Sequence, residues 1–311
     1  MALTRFVKCL GIGANKTYSS VHLANHQHYI PLDPASPTIP VHMPHWMDLL
    51  PNYQPIAVGK ILPVKNRLNV QYISDVHVDI NKLPKIIPYA DILAVCGDVG
   101  NPKNKNFENF FRDVSEKFET VIFVPGYDDY NCGPLYMETK VNDHKPIILD
   151  IVNKFNNVVF LDNSKFSLKN GTIVLGSTLW THPIVENTDN YNKHINHEIT
   201  NHIKNHSRDI AWLKNNLKIH NDDDVLVLTH VPPTLKLIKP IHLTKGKFFT
   251  NWFFSDLEDI IKSPVVAWLS GHVHNVIEKK INGVVCGVNA YGYPKLYRNE
   301  SSHIITKIVT V

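Results

Sequence analysis

The chain has 311 residues, of which 43% are hydrophobic and 19% charged, and its formal net charge is +4. That composition describes a globular protein with enough apolar material to bury a core, as one large domain or two small ones. The mild positive charge helps to attract an anionic substrate. It excludes a protein that relies on a strongly basic surface to hold nucleic acid.

In chain order, residues 1–67 stand apart as a proline-rich extension. Pro31, Pro34, Pro37, Pro40, Pro44, Pro51, Pro55 and Pro63 break any regular element there. Tyr29, Ile30, Trp46, Met47, Leu49, Leu50 and Tyr53 are interspersed with them, a mixture too apolar for a purely solvated linker. An arm packed on the rest of the chain and a docking segment for a protein partner are both open readings.

From residue 68 to 311 strand and helix patterns alternate. Strands are expected at 69–74, 91–96, 120–125, 158–161, 172–178, 224–229, 265–270, 275–281, 284–288 and 303–311, and helices at 104–117, 144–156, 194–218 and 255–262. Short β-branched runs alternating with amphipathic helices predict an α/β fold whose sheet is covered on both faces. Asn282-Gly283 between two apolar runs is a hairpin turn signal, so the sheet is expected to be mixed.

No apolar run approaches the ~18 residues of a membrane-spanning helix. The stretch CLGIGA behind Arg5 and Lys8 is too short for a secretory signal, and Ala2 stands where N-myristoylation needs glycine. Cys9, Cys96, Cys132 and Cys286 are scattered without a CxxC pair, which predicts neither a disulfide framework nor a cysteine zinc site. A reducing, cytoplasmic setting follows as the expectation. The abundance of Asn, Lys and Ile hints at an AT-rich, viral genome.

The chemistry-bearing residues cluster just after apolar runs. Asp75 and His77 (SDVH) follow NVQYI, Asp98 (CGD) follows DILAV, His230 (LTH) follows VLVL, and His272 and His274 (GHVH) follow VVAWLS. Residues at the C-terminal ends of strands in an α/β sheet converge on one crevice. Carboxylate oxygens combined with imidazole nitrogens suit a hydrolytic divalent-metal site.

Taken in order, SDVH, CGDVGN, VPGYDD, LTHVPP and SGHVH resemble the motifs of the calcineurin-like metallophosphoesterase superfamily, over roughly residues 68–298. QYISDVH, GSTLWT, DIAWLKNNL and NAYGYP are similar to one branch of small phosphoesterases. The resemblance implies a mixed-sheet metallophosphoesterase-like sandwich with helices on both outer faces. It also implies two divalent ions, of Mn, Fe or Zn, and a phosphoester or nucleotide substrate. Asp75, His77 and His274 would hold the first ion, Asp98 would bridge, and His230 and His272 would hold the second.

One motif departs from the resemblance. Where the family has Gly-Asn-His followed by an acid, this chain has Gly126-Tyr127-Asp128-Asp129. Tyr127 stands at the expected Asn ligand, as pocket wall or weak ligand. Asp128 stands at the position of the catalytic His, as substitute ligand or relic, and Asp129 too could serve as a replacement ligand. Losing a general acid costs ~10²–10⁴ in rate. A catalytically impaired pseudoenzyme kept as an interaction protein is therefore the alternative reading.

His194, His197, His202 and His206 share one expected helix, read as a solvated face, although His202/His206 have metal-compatible i,i+4 spacing. His206 precedes DIAWL where the resembling branch also carries a His, so it is a candidate catalytic residue alongside Asp128. Trp180 and His182 could line the same pocket, with core packing an equal reading for Trp180. Asn101 is expected as a helix N-cap or as support for Asp98.

Overall fold

The computed structural model describes residues 66–130, 144–182, 193–239, 252–293 and 307–311. The proline-rich extension up to residue 65, and with it the partner-docking reading, lies outside the described residues.

Two sheets make the fold. The first contains β1 (Asn69–Ile73), β2 (Ile92–Cys96), β3 (Thr120–Val124) and β4 (Val158–Phe160) in parallel, with β11 (Ile308–Thr310) antiparallel along β1. The second runs β5 (Ser164–Ser167), β6 (Ile173–Ser177), β7 (Val225–Thr229), β8 (Val265–Ser270), β10 (Val284–Asn289), β9 (Val276–Ile281). Its four central strands are parallel and both edge strands antiparallel. This is the mixed-sheet sandwich expected from the sequence.

The alternation of side chains along each strand separates two cores, because successive residues point to opposite faces. Val70, Tyr72, Ile92, Ala94, Cys96, Ile122 and Val124 from the first sheet meet Val174, Leu226, Leu228, Ala267 and Leu269 from the second. The opposite faces of the same strands (Leu93, Val95, Val121, Phe123, Leu175, Val227, Trp268) belong to a second apolar cluster that includes the helices' buried residues. Strands buried on both faces read as unbroken apolar runs, which made them easy to find. Each fully buried Val or Leu contributes roughly 1.5–3 kcal/mol.

Helix α1 (Lys105–Ser115) places Phe107, Phe110, Phe111 and Val114 on one face at helical spacing. Its N-cap is Asn104, whose side chain accepts the Asn106 N–H at 2.9 Å. Asn101 is thus not the cap. Its side chain accepts the Lys103 N–H in a turn just ahead of the helix, and no bond ties it to Asp98. Helix α2 is Lys145–Val152 and α3 is Lys193–Ile219.

Two expectations need correction. Residues 255–262 do not form an α-helix; only Glu258–Ile260 make a 3₁₀ turn. The N–H groups of Ser255 and Leu257 donate instead to the carbonyls of Pro232 and Pro233, which ties this stretch to the loop after β7. Strand β5 was not foreseen, because SKFS is half-exposed at the sheet edge and carries a single apolar residue. The Asn282-Gly283 turn does close the β9–β10 hairpin, with φ of 49° and 88°, as a type I′ turn requires.

Among the described residues no helix is long and apolar enough to cross a membrane. Cys96 and Cys286 are free and buried.

Candidate metal centre

Backbone bonds join the C-terminal end of β1 to that of β2 in one sheet, and that of β8 to that of β7 in the other. Asp75 N–H donates to the Gly97 carbonyl at 2.9 Å, His77 N–H to Asp98 at 3.1 Å, and Gly271 N–H to His230 at 2.8 Å. The His272 N–H donates to the Asp75 carboxylate at 2.9 Å, joining the two sheets. The strand ends leave the β conformation abruptly. Asp75, His77, Asp98, His272 and His274 all have φ between 41° and 69°. Such backbone is uncommon for residues with a side chain and costs of order 1–3 kcal/mol each, so the surroundings must enforce it.

Those turns bring the six candidate ligands together as two sets. One donor atom from each of Asp75, His77 and His274 lies within 4.8 Å of the others, and the same holds for Asp98, His230 and His272. A third set, His77, Asp98 and Asp128, joins them.

The imidazoles are oriented by bonds from their outer nitrogens. His230 donates Nδ1–H to the Cys96 carbonyl at 3.0 Å, so Nε2 faces Asp98 Oδ2 at 3.3 Å. His272 donates Nε2–H to the Trp252 carbonyl at 2.8 Å, which leaves Nδ1 inward. The Nε2 atoms of His77 and His274 face each other at 2.9 Å. Tyr293 stacks on the His77 ring at 4.6 Å between centroids.

These donors fit divalent cations. His230 Nε2 and His77 Nδ1 are buried and face carboxylates, Asp98 Oδ2 at 3.3 Å and Asp128 Oδ2 at 2.9 Å respectively. The cluster also draws positive charge. Burial alone would lower both histidines, yet Asp128, Asp98 and Asp75 raise His77 to about 9, and Asp98 and Asp75 raise His230 to about 10. Burial and the neighbouring His230 charge push His272 down to about 4. Burial would raise Asp98, but His230, His77 and His272 hold it well below the usual carboxylate range. Neutral imidazoles and carboxylates are borderline-to-hard donors of the kind Mn, Fe and Zn accept.

Tyr127 is buried, and its ring lies 5.4 Å from that of His230 and 5.0 Å from that of His272, stacked on Trp180 at 5.0 Å. Its hydroxyl is held by Thr181, away from the ligand sets. Of the two readings open for it, the geometry is that of a wall. Asp129 is not turned toward the ligands either, since both its oxygens accept backbone N–H groups.

The histidine-bearing face of α3 is not solvated as the sequence suggested. His202, His206, Asp209, Leu213 and Leu217 fall on one buried stripe. His202 packs on Tyr127, Trp180 and Trp252. The His206 Nδ1–H donates to the Trp180 carbonyl, and its ring lies 5.8 Å from that of the exposed His182. Asp209 accepts the Leu179 N–H at 3.1 Å and so fixes the start of the Trp180 loop. Polar residues on a buried helix face are a signal that periodicity of apolar residues does not reveal. The side chains of His194 and His197 lie outside the described residues.

Comparison with known proteins bears on the family and the fold. A family model for calcineurin-like phosphoesterase matches residues 68–276, more than half of the chain. An uncharacterized protein of Acanthamoeba polyphaga mimivirus, L509, is 26% identical over 261 residues, covering 72% of this chain and 91% of the relative. The phosphopantetheinyl hydrolase of Mycobacterium tuberculosis shares the fold, with a TM-score of 0.59 at 16% identity over 79% of this chain and 97% of that one. TT1561 of Thermus thermophilus superposes with a TM-score of 0.46 at 14% identity, over 79% of this chain and 99% of that one.

Proposed function

We propose that this chain, which belongs to the calcineurin-like phosphoesterase family, hydrolyses phosphoester bonds, as a phosphodiesterase or phosphomonoesterase, at a two-metal site weakened beside Tyr127. The observation that carries this reading is the convergence of two three-donor sets at the strand ends. In it Asp75, His77 and His274 would hold one divalent ion, His230 and His272 would hold the other, and Asp98 would be available to both. Such ions, of Mn, Fe or Zn, would neutralise phosphate charge and lower the pKa of water when bound.

The chain's own residues do the rest. The carbonyls of Cys96 and Trp252 fix which nitrogen of His230 and His272 faces inward. The Tyr127 ring packs against the flank of the second donor set. Among the candidate catalytic groups, Asp128 has its carboxylate beside His77, so it is badly placed to protonate a departing alkoxide. His206 is held through Nδ1, and its Nε2 has no partner among the described residues, so it is the imidazole we place toward a phosphoryl oxygen.

One observation favours a second reading. Tyr127 turns its hydroxyl to Thr181 and offers the second donor set only hydrocarbon. A pseudoenzyme that binds metal but no longer turns over would look like this, with residues 1–67 as its docking segment.

Elemental analysis of the purified full-length protein, followed by assay with Mn²⁺ on p-nitrophenyl phosphate and bis(p-nitrophenyl) phosphate, separates the readings. Bound metal with Mn²⁺-dependent turnover supports the enzyme, and bound metal without turnover supports the pseudoenzyme. Less than about 0.2 ion per chain, with no thermal stabilisation by Mn²⁺ or Zn²⁺, overturns both, because a bound ion must stabilise by mass action.

A further inference from the structure

We infer that Asp129 is a positioning residue that holds Asp98 in the one backbone conformation from which its carboxylate can serve both donor sets. The inference rests on the metal-site reading above. Asp129 is fully buried. Its Oδ2 accepts the Asp98 N–H at 2.9 Å and the Gly126 N–H at 2.7 Å, while Oδ1 accepts the Gly100 N–H at 3.0 Å. One carboxylate thereby satisfies three backbone donors from the two loops that follow β2 and β3.

Asp98 is gripped at its other end by the same loop. The Asp128 N–H donates to Asp98 Oδ1 at 2.8 Å. The acidic pair therefore acts in two directions: Asp129 binds the Asp98 backbone by its side chain, and Asp128 binds the Asp98 side chain by its backbone. Asp98 sits at φ 53°. A residue stays in that region only when its surroundings over-determine it. The two loops approach so closely that a Cβ on Gly126 would collide with the Asp98 amide and carboxylate.

Three converging N–H groups need acceptor oxygens, and the two oxygens of Asp129 supply them, Oδ2 to two amides and Oδ1 to the third. Asp129 is absent from every possible ligand set among the described residues. Its oxygens are directed at amides, so it acts through Asp98 and not on a cation.

The test is calorimetric titration of the metal-stripped, full-length protein with Mn²⁺ alone, in wild type, Asp129→Ala and Asp129→Asn, alongside amide hydrogen exchange of the metal-free forms. Partners that orient a metal ligand typically contribute 10–100-fold in affinity, so Asp129→Ala should weaken Mn²⁺ binding by about that factor. The amides of Asp98 and Gly126 should lose protection in the same variant. Asp129→Asn should fall between the two, because its carbonyl oxygen can keep the Asp98 and Gly126 bonds while its NH₂ opposes the Gly100 N–H. The Asn variant also keeps the test open if the Ala variant does not fold. Wild type that takes up no Mn²⁺ overturns the metal-site reading itself. Wild type that binds, with Asp129→Ala binding as tightly, overturns the positioning role alone. Loss of one Mn²⁺ per chain in both variants, with Asp98 amide protection intact, would make Asp129 a ligand and overturn the inference as well.

Discussion

Tyr127 and Thr181 lock each other in place. The Tyr127 hydroxyl accepts the Thr181 backbone N–H at 3.1 Å and donates to Thr181 Oγ1 at 3.3 Å, with both residues buried. This pair fixes the aromatic ring between Trp180 and the two histidines of the second donor set. Burial pushes the phenol well above its usual range, so the hydroxyl stays protonated at any physiological pH.

Tyr127→Phe should therefore separate stability from metal binding. The change leaves a buried Thr181 N–H without its acceptor, a cost of about 1–3 kcal/mol. It should appear as a lower urea midpoint at unchanged m-value. The ring remains against His230 and His272, so Mn²⁺ affinity should not change. A drop in affinity would show that the hydroxyl contributes to the donor set after all.

Asp98→Asn should remove function while keeping the loop. The amide oxygen can still accept the Asp128 N–H, and the Asp129 grip on the Asp98 backbone is untouched. What disappears is the negative charge that keeps His230 high and that two cations would share. Hydrolysis of every ester should vanish, and the rise in Tm on adding Mn²⁺ should shrink. Retained turnover would remove Asp98 from the centre of the reading.

Most of the strands were legible because the parallel ones are buried on both faces and thus appear as runs such as ILAVC and VLVLT. The six candidate ligands stood out for a related reason, since each lies just after such a run. What could not be read depends on contacts without a sequence period. Trp252 acts through its carbonyl on His272, and Asp129 acts on amides from two loops. His202 was misplaced because the buried face of α3 is polar near the site and apolar only further on, at Leu213 and Leu217. An edge strand such as SKFS, half-exposed, carries no alternation strong enough to detect.

With rising pH, the Tm of the metal-free protein and the increment that Mn²⁺ adds to it should run in opposite directions. His77 at about 9 and His230 at about 10 lie above their ordinary value of 6.5. A group raised on folding stabilises the fold fully below its unfolded value, and that contribution is lost as pH rises through the folded value. The Tm of the metal-free protein should thus fall as the pH climbs from about 6.5 through about 9 and about 10. Cations need neutral imidazoles, so the same protons oppose them. The increment in Tm produced by Mn²⁺ should grow over the same window, read by thermal scans with and without the ion. His272, at about 4, is already neutral and contributes to neither trend. An increment independent of pH would mean that no proton is displaced from these two histidines.

The altered motif should leave a signature in the leaving group. Asp128 has its carboxyl turned to His77, where the family has an imidazole acid. p-Nitrophenolate departs without a proton, whereas a ribose or alkyl alkoxide does not. Activated aryl esters should therefore be hydrolysed measurably with Mn²⁺, and alkyl esters disproportionately slowly. Combining Tyr127→Asn with Asp128→His rebuilds the family's expected sequence at this turn. The double change should raise alkyl-ester turnover by roughly the general-acid factor of ~10²–10⁴ while altering aryl-ester turnover much less. Replacing the packed ring also opens a cavity, and aromatic-to-small changes in a core cost about 3–5 kcal/mol. The comparison must accordingly be made on protein whose folding has been confirmed at the assay temperature. A folded double variant that gains nothing on either ester would show that the pocket has lost more than this one motif, and the interaction-protein reading would then stand in place of the enzyme.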